Sequence, residues 1–211
     1  LGIPIKEAEF IDLESEFDPK RKPVYYTPVT KMSHSTKPFA WPLMVKGIDD
    51  ALDRYPTQKV LLHTVSGSLA SFITANSKHK SRMVAYGNGV SREKALQVFT
   101  QSTEPKVLVS QSFERGLDLP DDLCRVILIA KVPYADLSDK QVAKRLYASR
   151  DGKSWYAVQT MRALVQMSGR AMRHSGDWSI VEILDSEFES FYSRNKRLAP
   201  KWWRESLRGI K

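Results

Sequence analysis

The sequence has a single cysteine, Cys124, in 211 residues. One thiol excludes an internal disulfide framework and any all-cysteine metal cluster. Cys124 sits in the apolar run Leu123-Cys-Arg-Val-Ile-Leu-Ile, which marks it as a core residue. Histidine is also sparse: His34, His63, His79 and His174 show no metal-ligand spacing, so no metal site is expected. No apolar run is long enough to cross a bilayer, and none reads as a signal peptide. The opening residues Leu1-Gly-Ile-Pro-Ile-Lys6 look like the interior of a longer protein, and the expected setting is cytoplasmic, nucleoid-associated in a bacterium. Acidic residues are in the minority, 24 Asp and Glu against 33 Lys and Arg. The resulting charge of +9 points to a polyanionic partner: nucleic acid, nucleotide or a membrane surface. A complete phosphate-binding P-loop is missing too. Gly152-Lys153-Ser154 has the ending of one, but Tyr147 stands where its first glycine belongs and the preceding stretch reads as helix. Asp151-Gly152 is therefore expected to be a turn between two helices. Nor is there an acidic box of the kind that holds magnesium beside a nucleotide.

What is present is enough apolar material for a core, 42% of residues. Short all-apolar runs recur: Lys59 to Val65, Lys106 to Ser110, Arg125 to Ala130 and Ser179 to Asp185, with a lesser one at Ser81 to Ala85. Between them lie helical patterns. Trp41 to Tyr55 has apolar residues at 41, 44, 45, 48, 51, 52 and 55 and is stopped by Pro56. Ser91 caps an amphipathic segment reaching Phe99, and two further helices are expected at about 138 to 149 and 154 to 173. Buried strands alternating with helices predict an α/β fold with a parallel sheet covered on both faces. The chain divides into a Pro- and Lys-rich linker at 1–40 that leads into and packs on the domain, the domain itself at 41–190, and a basic, aromatic, helical tail at 191–211. Within 1–40 only Val24-Tyr25-Tyr26 reads as a short strand.

In such sheets ligands gather at the carboxyl ends of the strands. Three polar segments begin there: Thr64 to Ser68, Ser110 to Pro120, and the loop after Ala130. The Ser66-Gly67-Ser68 turn between a strand and a helix presents backbone N–H groups to a phosphate. One helix carries Gln166, Arg170 and Arg173 at i, i+4 and i+7, which would place an amide and two guanidiniums on one face. Guanidinium is always charged and matches phosphate oxygens. Met161, Leu164, Val165, Ala171 and Met172 supply the opposite, core-facing side, and Gly169 would let backbone approach closely.

These blocks resemble the motifs of superfamily 2 helicases. Val60 to Ser66 is similar to motif IV, Ser112-Phe-Glu114-Arg-Gly116-Leu-Asp118-Leu-Pro120 to motif V, and Gln166-x-x-Gly169-Arg170-x-x-Arg173 to motif VI. Motif V followed by Val132-Pro-Tyr134, and Asp177 and Leu184-Asp185 after motif VI, resemble the XPD and DinG group of DNA helicases. So does the acidic Ser15-Glu-Phe17-Asp18. The chain departs from that pattern at Asp121, at Trp178-Ser179 and at Ser186-Glu187. The resemblance implies a RecA-like C-terminal motor domain. ATP, with Mg2+ held mainly by a first motor domain of the same polypeptide, would lie in a shared cleft. Arg170 and Arg173 would stabilise the transferred phosphoryl group, and Gln166 would orient the γ-phosphate or the attacking water. Glu114, Gly116, Asp118 and Gly169 would bind ATP and couple it to nucleic acid. Thr64, Ser66, Ser68, Ser110 and Gln111 would contact single-stranded or forked nucleic acid, DNA first. The isolated chain would then be inactive. Two other readings stay open: a non-catalytic nucleic-acid-binding module built on a helicase fold, and a nucleotide enzyme with a site of its own.

Overall fold

The computed structural model describes residues 5–9, 11, 18–33, 35–87, 89–111, 119, 121–148, 150–171 and 176–210. In chain order the principal elements are β1 (Val24–Thr30), α1 (Lys37–Arg54), β2 (Val60–His63), α2 (Gly67–Asn76), β3 (Met83–Ala85), α3 (Arg92–Gln101) and β4 (Val107–Ser110). They continue as β5 (Val126–Ile129), α4 (Lys140–Ala148), α5 (Gly152–Ser168), β6 (Ile180–Asp185), α6 (Glu187–Asn195), α7 (Lys201–Ser206) and β7 (Leu207–Arg208).

The strands form one sheet in the order β3-β4-β2-β5-β6-β1-β7, and every pairing is parallel. Parallel strands need crossovers, and helices supply them on both faces. Side chains alternate across each strand. Leu61, Leu108, Ile127, Ile129, Val181 and Ile183 face α3, α5, α6 and α7 in one core; Val60, Leu62, Val107, Val109, Val126 and Leu128 face α1 and α2 in the other. The residues of β2, β4 and β5 are buried throughout, which is why these runs carry no polar alternation. This is the parallel α/β architecture expected from the strand and helix pattern, and the RecA-like form that the resemblance implied.

The residues 1–40 hold more structure than a lead-in with one short strand. Val24–Thr30 is a seven-residue strand inside the sheet, between β6 and β7. Its register shifts between Tyr26 and Thr30, around Pro28, which has no N–H to give to a ladder. At the other terminus, Trp203 is fully buried and its indole N–H donates to Ser168 Oγ at 2.9 Å. Leu207 and Arg208 then pair with Val24 and Tyr25, so the basic tail ends as an edge strand.

The largest difference from expectation is in α5. It starts at Gly152, with Asp151 as its N-cap residue, and ends at Ser168 rather than 173. A Cβ at Gly152 would run into the carbonyl oxygens of Leu146 and Arg145, so the glycine seats α4 against the first turn of α5. Because the helix stops before Gly169, Arg170 does not share a helical face with Gln166.

Candidate functional site

The carboxyl ends of β2, β3 and β4 meet at one polar cluster. Thr64, immediately after β2, donates its N–H to the Ser110 carbonyl at 2.9 Å and its hydroxyl to the same oxygen at 3.1 Å. Val65 follows with φ 63, a left-handed conformation that a β-branched residue adopts only at a cost. That reversal turns the chain so that Ser66 caps α2, its Oγ accepting the Leu69 N–H at 3.3 Å. Ser68, in the first turn of α2, is exposed. Gln111 lies across this turn. Its backbone N–H donates to the Tyr86 hydroxyl at 3.0 Å and its Nε2 to the Tyr86 carbonyl at 2.9 Å. The Gln111 Oε1 is 3.0 Å from where a Cβ on Gly67 would stand, so Gly67 is what lets the amide lie against the helix start.

The structure therefore brings Thr64, Ser66, Ser68, Ser110 and Gln111 together. It also sorts them. Thr64 and Ser110 are buried, and their hydrogen bonds tie two strand ends to each other. Ser66 and Gln111 are half-buried and Ser68 is exposed, so these three form the outer surface of the cluster.

The block that resembles motif VI arrives from the other direction. Gln166 is exposed in the last turn of α5, and Gly169 is its C-cap residue. Among the described residues, a Cβ at Gly169 would meet Val165 O at 3.6 Å, an ordinary contact. Met161, Leu164 and Ala171 are buried and Val165 packs against the same core, as the apolar side requires. Arg170 is half-buried, and its charge acts on His63 at the end of β2. Glu114, Gly116, Asp118, Met172 and Arg173 lie outside the described residues.

His63 is the residue that spacing rules passed over. It shares the Leu61 side of the sheet by alternation, is 1% exposed, and neither ring nitrogen has a hydrogen-bond partner. Burial first, and the Arg170 charge second, push its pKa down to about 3, so the imidazole is neutral. A lone histidine closing an apolar strand just before a Ser/Gly turn was the available signal. Two buried carboxylates brace the sheet, one at each end of its strands. Asp185 accepts the N–H groups of Met32 (3.0 Å), Val132 (2.9 Å) and Glu187 (3.0 Å), knitting together the chain just beyond β1, β5 and β6. Burial raises its pKa. Asp177 pairs with the buried Arg125 and so anchors the segment after Arg170 to the start of β5.

A seven-stranded parallel sheet with helices on both faces, and a strained strand-to-helix turn at the carboxyl end of β2, defines a RecA-like α/β domain. Residues 52–206 match the helicase C-terminal domain family, and the chain belongs to it. The sequence is 31% identical over 101 residues to the Fanconi anemia group J protein homolog of Gallus gallus, covering 44% of this chain and 8% of that protein. It is 26% identical over 138 residues to the ATP-dependent DNA helicase CHL1 of Scheffersomyces stipitis, covering 58% of this chain and 16% of that one. The chain thus spans a small fraction of the relatives it matches. Among solved structures it resembles S. tokodaii Xpd4, with a TM-score of 0.59 and 17% identity over 89% of this chain and 38% of that one, a likeness of fold. That fold is shared with the XPD proteins whose motif pattern the sequence resembles. No helix among the described residues is long and apolar enough to cross a membrane.

Proposed function

We propose that this chain is the second motor domain of an ATP-dependent DNA helicase, completing an ATP site whose other wall is a first motor domain of the same polypeptide. The observation that carries the reading is the position of Arg170. It lies just past the end of α5, half-buried, within electrostatic reach of the carboxyl end of β2. In a dry cleft a guanidinium held there would stabilise charge developing on the transferred phosphoryl group, a contribution on the order of a thousandfold or more in rate. Arg173 would share that role, and Gln166, exposed in the last helical turn, would orient the γ-phosphate or water. Glu114, Gly116, Asp118 and Gly169 would form the rest of this domain's ATP-facing surface. ATP is the substrate; Mg2+ would be held mainly by the first motor domain. Single-stranded or forked DNA would run over the Thr64–Ser68 turn and Ser110-Gln111, where backbone N–H groups, Ser68 and Gln111 can meet phosphates without reading sequence.

The test is ATP turnover by the full-length protein carrying Arg170→Ala or Arg173→Ala. Turnover should fall by a hundredfold or more, on the order expected for such an arginine, while binding of single-stranded DNA persists. Unchanged turnover would show instead a nucleic-acid-binding module that has kept the fold without the chemistry. ATPase activity in purified residues 1–211 would favour a self-contained site.

A further inference from the structure

The start of α5 and the end of α6 enclose a second, separate feature. A groove of about 550 Å³ is lined by Lys153 and Ser154 on one side and by Arg194, Asn195, Lys196 and Arg197 on the other. No carboxylate is among its lining residues; Ala157 and Leu198 give it a small apolar floor. The Arg194 guanidinium is held in place, donating to the Ser190 carbonyl at 2.9 Å and lying 3.7 Å from Glu187. Lys153, Lys196 and Arg197 are exposed. Asp151, the N-cap residue of α5, makes no side-chain capping hydrogen bond, so it does not cover the amides of the first turn.

The groove is remote from the strand-end site. Arg170 follows the opposite end of α5, a 17-residue helix, and at 1.5 Å per residue the two ends are about 25 Å apart. Four cations, two hydroxyls and an amide lining an open groove suit a ligand that carries several negative charges along its length. An open trough with cations on both walls fits an extended phosphodiester chain better than a compact anion. A net charge of +9 on the chain favours the same partner.

We propose that the groove between α5 and α6, through Lys153, Arg194, Lys196 and Arg197, is a second anchor for a nucleic-acid backbone, holding single-stranded DNA outside the motor cleft. This rests on the reading of DNA as partner, and not on the assignment of Arg170.

The test uses the full-length protein with Lys153→Gln, Lys196→Gln and Arg197→Gln combined, leaving Arg194 to its partners. Affinity for an oligo-dT strand is measured against salt concentration. Each lost phosphate contact should flatten the slope of log affinity against log salt by about 0.7, so the triple variant should lose about 2 from the slope. Affinity at low salt should drop tenfold or more, ATP turnover at saturating DNA should be unchanged, and Arg197→Lys alone should behave as the parent protein. An unchanged slope and affinity would overturn the proposal. So would failure of the parent protein to bind oligo-dT, or loss of binding to a polyglutamate peptide with DNA binding intact, which would make the groove a protein-docking site. If the triple variant behaves as expected while Arg170→Ala leaves turnover untouched, the groove stands and the motor assignment falls.

Discussion

The guanidinium of Arg170 lies within electrostatic reach of the buried imidazole of His63 at the carboxyl end of β2. They come from opposite ends of the domain's sequence, one closing a strand and the other following a helix. The pairing sets a neutral base without hydrogen-bond partners in the field of a permanent cation. Protonation of His63 is therefore opposed twice, by burial and then by like charge.

That opposition has a consequence for acid stability. His63 titrates near 6.5 when unfolded and at about 3 in the folded protein. Below pH 6.5 the unfolded chain takes a proton that the folded chain refuses. The folded state is then disfavoured progressively as pH falls from 6.5 towards 3, by about 1.4 kcal/mol per pH unit from this one group. Urea denaturation at pH 7 and pH 5 should show this domain losing about 2 kcal/mol more than its His63→Phe variant over that interval. Equal losses would contradict the burial described.

Arg125 and Asp177 make a buried ion pair, and Arg125 also donates to the Trp178 carbonyl at 3.0 Å. Removing Arg125 takes from the buried Asp177 carboxylate the cation that offsets its desolvation. Arg125→Met should cost about 3–5 kcal/mol in denaturant unfolding. In the full-length protein it should also lower ATP turnover, because the pair anchors the chain that leaves Arg170.

Gly152 is where α4 meets α5. Gly152→Ala would place a methyl group against the carbonyl oxygens of Leu146 and Arg145, which are backbone and cannot swing aside. A loss of about 1–3 kcal/mol is expected, although alanine is the better helix former. A higher melting temperature in the variant would contradict the packing of the two helices.

Trp203 is fully buried, stacked obliquely with Tyr192 and edge-on to Phe188, and bonded to Ser168 in the last turn of α5. Trp203→Ala should cost about 3–5 kcal/mol by calorimetry. It should also increase amide exchange at both α7 and the end of α5, since the indole links them.

Much of the sheet was legible from local pattern. The apolar runs of β2, β4, β5 and β6 can be read because strands buried on both faces need no polar alternation. The helical period from Trp41 to Tyr55 marks α1, though Pro38 lets it begin earlier, at Lys37. β1 was mostly hidden: only Val24-Tyr25-Tyr26 stood out, because Pro28 interrupts it and its exposed Tyr25 and buried Val24 and Tyr26 alternate over too few residues. β7 has two residues and no periodicity at all. The apolar pattern overshoots α5, since Ala171 and Met172 continue it in sequence after the helix has stopped at Ser168.

The sequence alone determined the kind of domain and the chemistry available to it: apolar runs that must lie side by side in a parallel sheet, and a Gln-x-x-Gly-Arg-x-x-Arg block that can address a triphosphate. Tertiary structure decided what those groups meet. Only strand order brings Thr64 to Ser110, only the ending of α5 sends Arg170 towards His63, and only the packing of α5 on α6 gathers Lys153 with Arg197. Periodicity reports which face of an element is buried. Which element lies against that face is set by pairing between residues far apart in the chain, and local spacing carries no record of it.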